Sequence, residues 1–453
     1  MGLPYGILLV VVTLAIPIIY GVVVYPEFGI IIIMIAAYFI MLVIKFDINF
    51  PLGTIMDALE VLLLLGLFIR QKKKSKDWSV LKTPVTAVVL IWIGYNLLQA
   101  INPVAESIMA WLYTVRSIVL VTILYFVFMV NIDTKKFIRI IIAVWLVLSV
   151  IAALYGLKQQ TLGFSSFELR SMQDPLVMAL LFIDGRWRIF SIFNDPVVFS
   201  YNMVISTLLC VALAWGPTSW PKKIILMLMA FLFVYVMLFS GTRGAYVMLP
   251  ASMLLFFVMI FKRKMLPLAI LGAIFFVILI NIPTNNATLW RFQTAFKPSD
   301  DASFNVRKSN QKRIQPYILT HPIGGGLGAT GAWGVRFAPD SYLAKFPPDS
   351  GYMRVAVELG WIGLLIYCIY MFVILKTGIS NFFSIKDPEL KSYCFGMLLI
   401  IFALNIGNFP QEALVQYPTN IFFYLVVALL IVTKKIDTQL QEKNKVLPVA
   451  AAQ

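Results

Sequence analysis

The chain has 453 residues, of which 60% are hydrophobic and 13% charged, with a mean hydropathy of +0.89. This composition excludes an ordinary soluble domain and defines an all-α, polytopic helical membrane protein. The formal net charge of +16 would direct a soluble protein to nucleic acid. Here much of it sits in short clusters between apolar runs, as topology determinants do, so the expected partner is the lipid bilayer and no nucleic acid.

About thirteen apolar segments are long enough to span or nearly span a bilayer, centred near Val11, Ile33, Leu63, Ile91, Leu120, Val144, Ile205, Met229, Pro250, Ala273, Ile366, Leu399 and Val426. The first is long and a second follows almost directly, so it is expected to stay as an anchor rather than be cleaved as a signal. If the segments alternate, the basic clusters Arg70 to Lys76, Lys135 to Arg139, Lys222 with Lys223, Lys262 to Lys264, Lys386 with Lys391, and Lys434 with Lys435 share one side. The positive-inside rule makes that side the cytoplasm. The outward loops are then 99–106, 156–196, 240–244, 281–350 and 408–420. The amino-terminal end fits less well, because the turn at Tyr25 carries no basic residue while Lys45 falls on the outer side. Either the first two segments form an atypical hairpin or the count shifts by one.

The expected organisation is an amino-terminal bundle of about ten helices over residues 1–280, a large extracytoplasmic loop over 281–350, carboxyl-terminal helices over 351–435 and a cytoplasmic tail over 436–453. No internal repeat is visible, which weakens a carrier reading. Cys210, Cys368 and Cys394 fall in apolar runs of different segments and show neither a disulfide framework nor metal-ligand spacing.

The outward loops carry the polar chemistry. Residues 185–196 place Arg186, Arg188 and Asp195 just before a membrane segment, where Pro196 suits a helix start; the alternative is an interfacial belt of Trp and Arg. Ser240-Gly-Thr-Arg-Gly244 joins two apolar runs with almost no room for a loop, so Arg243 is expected at the outer membrane edge. Arg116 lies inside its segment, where lipid exposure would cost about 2.5 to 3.5 kcal/mol. It either meets a ligand or pairs with Asp57, Glu60 or Glu358, and the structural pairing is the expectation. Residues 303–320 can form a basic amphipathic helix carrying Arg307, Lys308, Lys312 and Arg313, kinked at Pro316, that either rests on headgroups or caps a cavity and meets an anion. His321 reads as a helix C-terminal cap rather than a catalyst.

Together these residues resemble the O-antigen ligase and polymerase superfamily, membrane enzymes that move or join glycans carried on a polyprenyl diphosphate. Ser-Gly-Thr-Arg-Gly at 240–244 is similar to that family's Ser-Arg-Gly element. Arg307, then His321-Pro322 and glycines at 324, 326 and 328, resembles its arginine, His/Asn-Pro and Gly-x-Gly-x-Gly turn. Asp349-Ser-Gly-Tyr-Met353, then Glu358-Leu-Gly-Trp-Ile-Gly363, is similar to its His-Asn-x-Tyr-Leu and Glu-x-Gly-x-x-Gly. A weaker fourth element, Phe193-Asn-Asp-Pro196, looks like its Phe-x-Asn-Pro-Asn. Where the ligases carry a histidine linked to catalysis, this chain has Asp349, a departure that favours a polymerase or another glycan transferase of the superfamily over a ligase.

The resemblance implies a GT-C-like helical bundle in the bacterial cytoplasmic membrane, with its active site facing the periplasm or outside. It implies an undecaprenyl-diphosphate-linked oligosaccharide donor and a glycan or lipid acceptor. A chain-length regulator or other polysaccharide assembly proteins are the implied partners, with no cofactor and no metal. Bidentate arginines can bind a diphosphate leaving group, and Arg243 and Arg307 are the first candidates, with Arg116, Arg186 and Arg188 in reserve. A carboxylate can take the acceptor hydroxyl's proton, which singles out Asp349 and then Asp195. Tyr352, Arg354 and Glu358, on the helix that follows, complete the substrate-binding set. A lipid-linked glycan transporter or flippase is the rival of another class, and it should carry polar residues through both leaflets.

Overall fold

A computed structural model describes residue 13 and residues 15–46, 53–73, 78–183, 185–263, 266–297 and 302–450. The first eight helices are α1 (Ala15–Val24), α2 (Pro26–Ile44), α3 (Gly53–Lys73), α4 (Pro84–Leu98), α5 (Ile108–Asn131), α6 (Lys135–Leu162), α7 (Ser166–Ser171) and α8 (Pro175–Leu181). A two-residue hairpin follows, pairing Phe182 with Trp187 and Ile183 with Arg186. Then come α9 (Pro196–Trp215), α10 (Trp220–Leu238), α11 (Arg243–Met259), α12 (Leu266–Asn281), α13 (Ala287–Thr294), α14 (Ala302–Thr320), α15 (Gly331–Phe337), α16 (Gly351–Ser384), α17 (Pro388–Gly407) and α18 (Thr419–Ala450). Among the described residues, nine helices are long and apolar enough to cross a membrane, and α1, α11 and α12 add shorter apolar helices. The chain is a polytopic helical membrane protein. The expected first span, centred near Val11, lies largely outside the described residues, as does most of the Lys72 to Lys76 end of the first basic cluster.

Helix starts follow local rules. Proline occupies the first turn of α2, α4, α9 and α17, and Thr83, Ser107, Thr134, Asp195 and Asp387 each accept a backbone N–H as N-caps. In lipid the helices gain little from apolar burial against each other, so close packing and buried hydrogen bonds set their arrangement. α9, α17 and α18 are the most enclosed helices. Gly396 of α17 sits against Leu209 and Ala212 of α9, and the Tyr201 hydroxyl donates to the Gly407 carbonyl at 2.9 Å. Tyr38, Ser149 and Ser206 form a hydroxyl chain across α2, α6 and α9, with contacts of 3.0 and 2.8 Å.

The two ends of the bundle differ sharply. At the basic end, Lys135 pairs with Asp387 and Glu389 at 2.8 and 2.9 Å, Arg139 grips Glu389, and Asp437 accepts from the Lys386 and Asp387 amides. Three of the basic clusters thus meet at one end. At the opposite, loop-rich end, Asn102 donates to the carbonyls of Ile323 and Gly324, Ser341 to Glu106, Arg188 and Arg291 to the 240–241 carbonyls, and Ser350 to the Asn408 carbonyl. These bonds link all five loops that the sequence assigns to one side into one connected set there. Lys45 joins this end because it is not a topology determinant. It is buried, donates to the Phe193 carbonyl at 2.6 Å and lies over the Phe190 ring, bracing the 190–193 segment.

The glycine-rich turn explains a break in α16. Gly360, at φ 71°, interrupts the helix and releases its neighbours' hydrogen-bonding groups. The Gly325 and Gly326 amides take the Val357 and Glu358 carbonyls at 3.0 and 2.9 Å, and the Ile362 amide takes the Pro322 carbonyl at 3.2 Å. Gly324, also at positive φ, lies so close that a Cβ there would strike Glu358 and Gly360 backbone. The loop and the helix are thereby locked together at the loop-rich end.

Candidate functional site

The short turn between α10 and α11 is the hub of the arginines. The Arg188 Nε donates to the Ser240 carbonyl at 2.8 Å, and another of its nitrogens donates to the Thr242 hydroxyl at 3.0 Å. From the other side, Arg291 of α13 donates to the Gly241 carbonyl at 2.8 Å. A Cβ at Gly241 would meet the Arg291 guanidinium, so glycine is what lets this side chain approach. Arg243 opens α11 immediately after the turn and is half-buried. The Tyr201 hydroxyl packs against Gly244 and lies within electrostatic reach of Arg307 on α14. Arg188, Arg243 and Arg291 therefore surround one turn, with Arg307 within electrostatic reach of the Tyr201 hydroxyl beside it.

The electrostatics of this cluster call for an anion. Burial pulls the Arg188 guanidinium down to about 10; Asp195 opposes the fall, while Arg291 and Arg243 add to it. Asp195 is the N-cap of α9, accepting from Val197 at 2.6 Å, and burial pushes its carboxyl up while that hydrogen bond and Arg188 oppose the rise. Arg186, Arg188 and Arg291 line a pocket of about 440 Å³, with Trp187 and Trp290 beside them. It adjoins an apolar groove of about 1100 Å³ between α10, α11, α12 and α13, the two sharing Leu238, Phe239 and Thr288.

Asp349 lies just before the start of α16. The cap of α16 is not Asp349 but Ser350, whose hydroxyl accepts from the Met353 amide at 3.5 Å. The Asp349 carboxylate instead meets the Asn310 amide of α14 at 3.4 Å. Asn310 lies one turn beyond Arg307 on the same helical face, so Asp349 meets the side of α14 that carries Arg307.

The remaining candidates divide. Arg116 is not in the cluster: its Nε pairs with Asp57 at 3.4 Å, the structural alternative left open above. Tyr352 donates to Asn405 at 2.7 Å. Arg354 bridges Glu358 at 3.2 Å and Glu412 at 2.9 Å, and the Glu358 carboxylate also accepts from the Gly328 and Thr330 amides and the Thr330 hydroxyl. Tyr352, Arg354 and Glu358 therefore have intramolecular partners: Arg354 and Glu358 fix the loops to α16, and Tyr352 ties α16 to α17. His321 caps α14, its Nδ1 2.9 Å from the Tyr317 carbonyl and its ring stacked on Tyr317. Lys308, Lys312 and Arg313 are exposed. Sequence reasoning missed Arg291 and Glu412. Arg291 is the one charge in the short amphipathic α13, a signal that was available, whereas Glu412 gains meaning only beside Arg354.

The fold and site define a multi-pass helical membrane protein with an arginine cluster at its loop-rich end. Residues 228–368 match the family described as O-antigen ligase, so this segment of the chain is similar to the O-antigen ligase/polymerase superfamily. The match contains the 240–244 turn, Arg307, the glycine-rich turn and Asp349 through Gly363, while the Phe193 to Pro196 element lies outside it. No curated protein matches the chain.

Proposed function

We propose that the protein is a metal-independent, inverting membrane glycosyltransferase of the polymerase type, joining oligosaccharide repeat units carried on undecaprenyl diphosphate at the outer face of the cytoplasmic membrane. The observation that carries this reading is the arginine-lined pocket opening onto the apolar groove at Leu238, Phe239 and Thr288. A diphosphate and a polyprenyl chain need those two surfaces in that juxtaposition. The basic clusters gathered at the other end support an outward position for this one by the positive-inside rule.

In the reaction, an acceptor sugar hydroxyl attacks the anomeric carbon of the donor glycan. The new glycosidic C–O bond forms as the anomeric C–O bond to the diphosphate breaks, and the hydroxyl proton passes to the Asp349 carboxylate. The departing polyprenyl diphosphate keeps the electron pair, and Arg243 and Arg307, with Arg188 and Arg291 at the pocket wall, offset its charge. A single displacement inverts the anomeric centre. Aspartate in place of the ligases' histidine favours chain growth over transfer to a lipid core.

The test is incubation of the purified protein with a polyprenyl-diphosphate oligosaccharide. A ladder of lengthened lipid-linked products is expected. Transfer only to an added lipid acceptor would make the protein a ligase, and movement of intact donor across vesicles without new bonds would make it a transporter.

A further inference from the structure

A second cavity, of about 200 Å³, lies between α4, α5, α16 and α18. Three side chains lining it have buried polar atoms with no hydrogen-bond partner among the described residues: the Asn96 Oδ1, the Thr114 Oγ1 and the Tyr370 hydroxyl. Asn96 is fully buried and Thr114 is 4% exposed. An unsatisfied buried group costs about 1–3 kcal/mol, so three of them around one cavity require something in it.

The unmet groups define its chemistry. The Asn96 Oδ1 can only accept, so the occupant must donate a hydrogen bond; its own amide nitrogen is already committed to the Trp92 carbonyl at 2.8 Å. That requirement excludes an acyl chain and a fully ionised phosphate. The Thr114 hydroxyl can take either role. Trp92, Trp333 and Tyr367 also line the cavity, offering ring surface to an apolar C–H face. A ligand about the size of the cavity that combines O–H donors with such a face is a pyranose. Gly351 and Asn408 line the same cavity, two residues from Asp349 in the first case.

We infer that this cavity is a subsite for one sugar ring of the acceptor glycan, held by Asn96 and Thr114 close to the start of α16. The assignment rests on the glycosyltransferase reading for the word acceptor, whereas the sugar chemistry follows from the cavity itself.

The experiment is saturation-transfer NMR on the full-length purified protein with a panel of methyl glycopyranosides of gluco, galacto, manno, N-acetylglucosamine and rhamno configuration. At least one glycoside is expected to bind saturably, and Thr114→Val and Asn96→Leu are expected to weaken it about tenfold or more with unchanged thermal unfolding. Thr114→Val keeps the side chain's shape, so it carries the test if Asn96→Leu does not fold. Absence of saturable binding across the panel, or equal binding by a folded variant, overturns the subsite and leaves a cavity filled by water only. Chain growth is scored on the same preparations: growth without glycoside binding removes the subsite alone, whereas glycoside binding sensitive to Thr114→Val without growth upholds the subsite and removes the transferase reading.

Discussion

The Asn310 amide lies 3.4 Å from the Asp349 carboxylate, and this contact, together with the Ser350 cap, separates Asp349 from the ordinary work of a helix start. Because Ser350 already caps α16, replacing Asp349 removes no cap. Asp349→Asn should therefore express and unfold like the wild type, retain the lipid-linked donor, and make little or no polymer, since an amide cannot accept the proton. Product assays on donor-bound protein check this; substantial polymer from the variant would end the assignment and move attention to Asp195.

Planarity rather than charge is the expected requirement at the arginine cluster. Arg243→Lys and Arg307→Lys keep the cation but lose the two-pronged donor, and each should lower turnover by about 10²-fold or more while insertion is unchanged. Arg291→Lys should fall in the same way and should in addition loosen the 240–244 turn, because its Nε holds the Gly241 carbonyl. Rates from purified variants decide the matter. Near-normal lysine variants would reduce these residues to interfacial anchors.

Much of this arrangement is legible in the sequence. Apolar runs and prolines mark the helices, and the alternation of basic clusters groups loops that are in fact in contact, because membrane insertion constrains chains in ways that local composition records. Legibility fails where meaning depends on a partner remote in sequence. Thr114 reads as an ordinary polar residue in an apolar helix until its bare hydroxyl is seen to line a cavity. Lys45 breaks the charge rule on the outer side because its amine serves the Phe193 carbonyl. Ser350 and Asp349 are adjacent candidates for one cap, and only backbone geometry chooses between them.

The break in α16 should be sensitive to one methyl group. Gly360 is at φ 71°, and a Cβ there would meet the Pro322 carbonyl and the Gly324 amide. Gly360→Ala should destabilise by about 1–2 kcal/mol from the left-handed conformation alone, and by more where the loop cannot retreat. Gly272 in α12 is the control, since a Cβ there meets nothing within 4 Å and Ala is the better helix former. Thermal unfolding in detergent should order them Gly272→Ala at or above wild type, Gly360→Ala well below.

Sidedness is testable without activity. A cysteine at Ser309, exposed on α14, should react with an impermeant maleimide in intact cells, and one at Thr438, exposed near the basic end, should react only after permeabilisation. Cys210 and Cys394 are buried and Cys368 is exposed, so a Cys368→Ala background is needed. The reverse labelling pattern would invert the protein and place the candidate site in the cytoplasm.

Lys45 supplies the pH dependence. Burial pulls its ammonium down to about 7, with Glu168 opposing. Above that value the folded protein has released a proton that the unfolded chain, with an ordinary lysine near 10.5, still holds. Stability therefore rises with pH between about 7 and 10.5, by up to about 1.4 kcal/mol per unit, and the penalty of a buried charge is fully present below about 7. Lys45→Met removes this titration along with the hydrogen bond to the Phe193 carbonyl. The wild-type thermal midpoint should climb from pH 6.5 to 9 relative to that of the Met variant, so the difference between the two curves reports Lys45 and cancels groups common to both. Parallel curves across that range would show that the amine keeps its proton in the fold, held by Glu168 and the Phe193 carbonyl against the cost of burial.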